Sequence, residues 1–406
     1  MINPCAEHLD DAAFGNLSLQ TIEKLLSVRA VFGDAETFND IGLRGSEEIE
    51  KLQQRLRDVA ETEAEARALL QHEMFQVKSQ LKDLTKVLIA ESRIVLTTAV
   101  QTCIEPAISE SSFEFAVIDE ASMMPVPYVL CVGALGSERV VITGDFRQLG
   151  PIALAQSAAA HRWLHKDPFE LAGISGNTPK HPALAMLQVQ RRMQPKICNL
   201  INAPFYGGKL RTETGSRSAT ALEPLSGEPA VLISFLQEDG SLVEQTPDGS
   251  RVNKRSAELV VELVCRYLDS DVQAIVGVIA PYRAEVTHIR RLLRNRTLPK
   301  EQARRIRLGT IHAFQGSEAD VILWDLVDTR QHKIGRLYHK DAGDRLANVA
   351  ISRAQGKLVL IGDPDAFFLA PGNESVGRLR SIMARHFHSN STLVISGKEF
   401  HAMARS

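Results

Sequence analysis

Two stretches, FEFAVIDE at 113–120 and RVVITGDFRQLGP at 139–151, decide the fold. Each is a short apolar run that stops at small or acidic residues. Near-continuous apolar runs of this length mark strands buried on both faces, as in parallel sheets. The same signature stands upstream in RIVLTT (93–98). It recurs downstream in VLISFL (231–236), AIVGVIAPY (274–282), IRLGTIHAF (306–314), DVILWDLV (320–327) and KLVLIGD (357–363). Between them, SAELVVELVCRYL (256–268) reads as a crossover helix, with the stretch from Asn253 to Ser256 offering its cap. Alternation of strands and helix-length segments implies two successive parallel α/β units. The expected boundaries are 92–185 for the first and 186–370 for the second, with a loop-rich stretch at the junction.

Outside these units the pattern changes. Residues 1–45 are weakly patterned. Residues 46–90 are charged and contain neither Gly nor Pro. Their apolar positions Ile49, Leu52, Leu56, Val59, Ala66, Leu70, Met74, Val77, Leu81, Leu84 and Leu88 step by threes and fours with occasional gaps, which predicts a helical arm within an N-terminal segment 1–91. Residues 371–406 read as a helix and a tail.

Composition narrows the function classes. Of the residues, 44% are hydrophobic and 24% charged, as in ordinary globular domains. The net charge of −2 provides no global basic field, so any nucleic-acid contact must come from local grooves. The five cysteines are scattered singly, without metal-ligand spacing or a secreted disulfide framework, and point to a reduced, cytoplasmic setting. There is no signal-peptide pattern, and no apolar run approaches the roughly 20 residues needed to span a bilayer.

Ligands of open parallel sheets bind at the carboxyl ends of the strands, so the polar residues there carry the chemistry. Asp119 and Glu120 follow FAVI directly; an acid in the first position can hold Mg²⁺ and one in the second can activate a water. GDFRQLGP (144–151) follows the next strand, and Asp145 lies 26 positions after Asp119, room for one helix and one strand. Gln148 there can hydrogen-bond both a γ-phosphate and a water. QRRMQP (190–195), followed by PFYGGKL (204–210), brings two arginines before a short apolar helix. In TIHAFQGSEAD (310–320), Gly316 permits a tight turn that displays Gln315 and Glu318. In NVAISRAQGKLVLIGD (348–363), Arg353 ends a helix just before a buried strand. An arginine reaching a γ-phosphate accelerates phosphoryl transfer by about 10³–10⁵. Each feature alone also suits a bland role, such as a surface turn or a solvated arginine.

Together, in this order and with APYRAEV (281–286 with the preceding Ala280) between the third and fourth, they resemble superfamily 1 helicases. The resemblance is to the branch of nonsense-mediated-decay and splicing-type helicases, which contains both RNA and DNA motors. It covers about residues 92–365. It implies an α/β fold of two RecA-like parallel-sheet domains, the first incomplete, with a helical insertion and with ATP and Mg²⁺ as ligands. Residue by residue, Asp119 resembles the Mg²⁺ acid, Glu120 the water-activating acid, Gln148 the sensor, and Arg192 and Arg353 the arginines that approach the γ-phosphate. Gly144, Asp145, Gln190, Arg191, Gly316 and Glu318 match nucleotide-contacting positions. Thr97, Thr98, Pro281, Tyr282 and Thr310 match the path of a single strand of DNA or RNA. Contacts along such a path are to phosphate and sugar, and so are sequence-independent and salt-sensitive. Family analogy gives 5′→3′ movement.

Two departures stand out. Arg191 occupies a position where the family usually has a base-packing Tyr; a guanidinium can also stack. The 406 residues contain no G-x-x-x-x-G-K-[ST]; Gly208-Lys209 and Gly356-Lys357 are each followed by Leu. That loop cradles phosphates with backbone N–H groups and a Lys. The expectation is a chain that starts after the first family motifs, with a missing N-terminal motor segment as a possible partner. Two functions follow: an ATP-dependent helicase or translocase, or the C-terminal portion of one, and an inactive remnant that binds nucleic acid or partners without hydrolysis.

Overall fold

The computed structural model describes residues 50–51, 54, 64–176, 180–213, 230–234, 243–270, 273–329, 334–363, 366–367, 382 and 393–396. These fall into two units, 1–118 with 126–142, and 119–125 with 143–406.

In the smaller unit, helix α1 (Ala64–Glu91) carries the expected stripe: Leu70 and Leu84 are buried, and Met74, Val77, Leu81 and Leu88 are half-buried along it. The part of the predicted arm before residue 64 lies almost wholly outside the described residues. Helices α2 (Ala99–Ile104) and α3 (Pro106–Ser109) follow, then β1 (Phe113–Ile118), α4 (Val126–Gly133) and β2 (Gly136–Ile142). Strands β1 and β2 pair in parallel, with Val117 opposite Val141 and Ile118 opposite Ile142. The strand expected at 93–98 is corrected: these residues have no ladder partner among the described residues, and Ile94 and Leu96 are exposed. Apolar composition alone does not make a strand; a hydrogen-bonding neighbour does.

The larger unit is built on one all-parallel sheet. Its strands are β5 (Ala230–Ser234), β8 (Val276–Ala280), β9 (Ile306–Thr310), β10 (Ala319–Asp325), β11 (Ala354–Gly362) and β12 (Leu393–Ser396), in spatial order β12-β5-β11-β10-β8-β9. Two-residue strands β3 (Val189–Gln190) and β4 (Arg211–Thr212) pair in parallel, and β6 (Val243–Gln245) and β7 (Arg251–Asn253) form a hairpin around Gly249. Side chains of β10 alternate between faces, as the pleat requires. Val321 and Leu323 pack under α6 (Lys254–Ser270) and α7 (Arg283–Asn295), against Leu263, Val264 and Ile289. Ile322 and Trp324 pack on the other face with α5 (Pro195–Tyr206) and α8 (Lys340–Ser352), against Ile201 and Ala350. Burying such side chains stabilises the unit by about 1.5–3 kcal/mol each. The fold is thus α/β and RecA-like, with the crossover helix where the sequence put it; Ser256 N–H donates to Asn253 Oδ1 at 3.2 Å, the expected cap. The short run LVIS at 393–396 forms an edge strand inside the segment expected to be helix and tail. Residues 119–125 and 143–185, expected with the first domain, group with the larger unit. Among the described residues no helix is long and apolar enough to cross a membrane.

Beneath the carboxyl ends of β8 and β10 lies a fully buried polar knot. Asn253 N–H donates to Glu285 Oε2 at 2.7 Å, and Ser256 Oγ donates to Asp325 at 3.0 Å. Counted as ionised, Glu285 Oε1 has no donor; protonated, it donates to Asp325. Burial first, and then the Asp325 charge, pushes the Glu285 carboxyl up to about 10. The folded chain therefore keeps a proton that the unfolded chain releases above its ordinary carboxyl range. This contribution is fullest at acidic pH and is lost as pH rises toward 10, by up to about 1.4 kcal/mol per pH unit. Glu285→Gln keeps a donor and removes the titration. We expect the fall in unfolding free energy between pH 6 and 9, followed by Trp324 fluorescence in a Trp163→Phe background, to flatten by up to that slope. An unchanged slope would contradict the shared proton.

Candidate nucleotide site

The polar residues after β1 and β2 are held to each other by backbone. Ala121 N–H donates to Thr143 O at 2.9 Å. Gly144 is confined here, since an added Cβ would stand 3.0 Å from the amide nitrogens of Ala121 and Ser122. Asp119 Oδ1 accepts from Glu120 N–H at 2.9 Å and from the Thr143 hydroxyl. Both bonds fall on one oxygen, and the residue is exposed, so Oδ2 remains open. Glu120 sits at φ 50° and ψ 36°, a left-handed conformation unfavourable for a side-chain-bearing residue. Strain of this kind persists where surrounding structure fixes it.

The next loop is a turn closed by Gln148 N–H to Asp145 O at 2.8 Å. Asp145 Oδ2 accepts from Gln148 Nε2 at 3.1 Å and from the Tyr206 hydroxyl at 2.5 Å. Asn348 Nδ2 donates to the same Tyr206 oxygen at 2.8 Å. Burial, and then the Asp145 charge, drives the Tyr206 hydroxyl well above its ordinary range, so it stays a donor. With its NH₂ taken by Asp145, Gln148 presents Oε1, which accepts from Arg353 Nη2 at 2.8 Å. Arg353 closes α8 and is almost fully buried; its Nε and Nη1 donate to the carbonyls of Val349 and Ser317 at 3.3 and 3.2 Å. Burial, and after it the neighbouring Arg192 charge, holds Arg353 down at about 10, while Glu120 pulls the other way. It remains a cation at neutral pH. Arg192 donates from Nε to Glu318 Oε2 at 2.7 Å, and Glu318 Oε1 accepts from Gln355 at 2.7 Å.

Asp119, Glu120, Gln148, Arg192 and Arg353 thus all belong to the larger unit, with Asp145 and Glu318 bonded to them. The other expected residues lie elsewhere or do other work. Gln190 spends its amide on its own loop, accepting from Met193 N–H at 2.8 Å and donating to Thr212 Oγ1 at 2.6 Å. Arg191 is exposed and ion-paired with Glu213 at 2.6 Å. Gly316, at φ 77°, supplies the tight turn. Behind it, both amide atoms of Gln315 are buried without a partner. Pro281 and Thr310 stand at the adjacent carboxyl ends of β8 and β9, both half-buried. Tyr282 is buried, its hydroxyl donating to Asp328 at 2.9 Å. Thr97 and Thr98 are exposed in the smaller unit, where Thr98 caps α2. Sequence reasoning missed Tyr206 and Asn348 as supports of Gln148, although both sit inside motifs quoted for other residues.

The donor set fits a triphosphate with Mg²⁺. One open carboxylate oxygen at Asp119 suits an ion that takes one or two protein carboxylates and completes its shell with phosphate and water. Among the described residues no cluster of three acids, histidines or cysteines offers an all-protein cage. Among the described residues, only one of two neighbouring guanidiniums has a carboxylate partner, which suits an anion, and the buried Gln315 amide has no partner there either.

A RecA-like sheet whose strand ends carry these groups defines a protein of the P-loop NTPase class. Two family models, each described as an AAA domain, match residues 15–156 and 174–365. The chain is 30% identical over 304 residues to a regulator of nonsense transcripts 1 homolog of Neurospora crassa, covering 71% of this chain and 26% of that protein. It is also 30% identical over 304 residues to the DNA replication ATP-dependent helicase/nuclease DNA2 of Mus musculus, covering 67% and 27%. Among solved structures, that of a PRRSV helicase matches at a TM-score of 0.29 and 17% identity, over 61% of this chain and 34% of that one. The chain belongs to the superfamily 1 helicases, in the nonsense-mediated-decay-helicase-like branch. It spans about a quarter of the length of these two curated relatives.

Proposed function

We propose that the chain is the motor portion of an ATP-dependent helicase or translocase, in which hydrolysis is coupled to movement along single-stranded DNA or RNA. The observation that carries this is the convergence of Gln148 and Arg353, 2.8 Å apart, beside Arg192 and Glu120. Mg²⁺ held by Asp119 would supply a compact positive charge against the phosphate oxygens. Glu120 orients the attacking water and accepts its proton. Arg353 and Arg192 stabilise charge that develops on the transferring phosphoryl group. Gln148 Oε1 accepts from Arg353 and so aims its guanidinium. A γ-phosphate that takes the guanidinium frees Gln148 Oε1, so the glutamine registers the nucleotide state. Pro281 and Thr310, side by side at two strand ends, suit the expected backbone path.

The test is nucleic-acid-stimulated phosphate release by the full chain beside its Glu120→Gln variant. We expect the variant to lose at least about 100-fold, the lower range for removal of a general base. Equal, background rates in both would sink autonomous hydrolysis. They would leave the second reading, an inactive remnant that binds nucleic acid, which the absence of G-x-x-x-x-G-K-[ST] from the 406 residues favours.

A further inference from the structure

The chain carries almost balanced charge, with 47 Lys and Arg against 49 Asp and Glu. One segment departs sharply from that balance. RRLLRNRTLPKEQARRIR, residues 290–307, has eight arginines and lysines and a single carboxylate, Glu301. It comprises the end of α7, a turn through Thr297, the short helix Lys300–Arg304 and the start of β9. Arg290, Arg294, Arg296, Lys300, Arg304 and Arg307 are all exposed. Arg290, Arg294, Lys300 and Arg304 have no carboxylate partner among the described residues. Of the acids of the neighbouring α6, Glu258 pairs with Arg255 and Glu262 with Arg266, while Asp269 accepts from Gln302 of the segment itself at 3.0 Å.

The position of this segment is fixed. Val276 N–H donates to Arg305 O at 2.9 Å, and Arg305 donates to the carbonyls of Ala274 and Leu268. The basic surface therefore sits at the amino-terminal end of the sheet, beside β9, which is an edge strand. The expected strand path lies at the carboxyl ends of β8 and β9 and uses none of these residues. Glu318 and Arg353 of the candidate nucleotide site precede their strands, at the amino-terminal end of the sheet, and Arg307 donates to the Glu318 carbonyl at 2.5 Å.

A helix dipole explains only part of the cluster. Its field favours cations in the last turn, which covers Arg294 and Arg296 but not Lys300, Arg304 or Arg307. The apolar side chains of α7, Val286, Ile289 and Leu293, are buried, so no hydrophobic group is exposed to enter a lipid surface. Guanidiniums dominate the cluster, and their planar forks match phosphate oxygens. Arg290 and Arg294 are one helical turn apart, about 6 Å along the axis, on the same face.

We infer that residues 290–307 form a phosphate-backbone docking surface for nucleic acid, separate from the motor path and at the opposite end of the larger unit's sheet. This rests on the nucleic-acid partner proposed above and adds a second contact area for it. Binding there is sequence-independent and falls steeply with salt.

The test uses the full chain, a fluorescent single-stranded oligonucleotide in DNA and RNA forms, and a salt titration followed by anisotropy. The variant is Arg290→Ala/Arg294→Ala/Arg304→Ala; a matching triple substitution to Lys keeps charge. Because the three side chains are exposed, thermal midpoints should coincide. The alanine variant is expected to lower the magnitude of the slope of log affinity against log salt by about 2, roughly 0.7 per lost phosphate contact. The lysine variant should retain most of the slope. If wild type binds and the alanine variant has the same slope, the docking surface is overturned and the nucleic-acid reading stands. If wild type shows no binding even at low salt, both fall. Loss of binding to poly-glutamate or to anionic vesicles, with oligonucleotide binding unchanged, would assign the surface to another partner and overturn the proposal.

Discussion

Arg353→Lys is expected to lower nucleic-acid-stimulated ATP turnover by about 10³-fold, the lower end of what a phosphate-directed arginine contributes. The geometry explains why lysine does not substitute. The guanidinium makes several directed bonds, to the carbonyls of Val349 and Ser317 and to Gln148 Oε1. The carbonyl bonds fix the plane of the fork, and the Gln148 contact aims one edge of it. An ammonium is a point charge without a plane and cannot reproduce this arrangement. Losing bonds at an almost fully buried position also costs stability, about 1 kcal/mol for each bond left unmade. Turnover and unfolding must therefore be measured together. The informative pattern is a turnover loss near 10³-fold at temperatures where the variant is fully folded, with the KM for ATP changed far less. A transition-state contact behaves in this way. A variant within threefold of wild type would remove Arg353 from the chemistry.

Much of this site was legible because its chemistry is written at strand ends. FEFAVIDE and RVVITGD each show a buried strand, and the residues after them can only lie at the carboxyl end of a sheet. Arg353 was legible on other grounds, as the residue between a helix and the strand KLVLIGD; it stands at the amino-terminal end of β11. Side-chain partnership was not legible. Gln190 and Arg191 stand in one motif with Arg192, yet Gln190 braces its own loop and Arg191 pairs with Glu213. Neighbours in a tight turn point in different directions, and motif position does not record which. Tyr206 and Asn348 carry no local sign of their role, because the network joining them to Asp145 spans 61 and 142 positions of sequence. RIVLTT has the composition of a strand and no ladder, whereas the four residues of β12 were too few to stand out from a tail. Both errors arise because strand formation depends on a neighbour, which local pattern does not contain.

Arg251→Ala should be the most destabilising single change near the strand ends of β8 and β10, costing about 3–5 kcal/mol. Asp328 has no exposed side-chain surface. It accepts from Arg251 Nη1 at 2.7 Å, from the Tyr282 hydroxyl at 2.9 Å and from Gly335 N–H at 2.8 Å. The two neutral donors solvate the carboxylate, but only Arg251 balances its charge. Removing Arg251 leaves a buried carboxylate without the cation that balances it. The reverse change is milder. Asp328→Asn leaves Arg251, whose side chain keeps 16% of its surface exposed and can turn toward solvent. Denaturation followed by Trp324 fluorescence should thus rank Arg251→Ala well below Asp328→Asn. The double variant Arg251→Ala/Asp328→Asn should recover a large part of the loss, since the stranded charge is gone. Equal single-variant effects that simply add would show the pair to be screened. Because Tyr282 adjoins Pro281 on the expected nucleic-acid path, the same substitution should loosen that strand end. The double variant separates that loss from the loss of fold: it restores stability without restoring the ion pair that tethers the β6–β7 hairpin to the loop after β10.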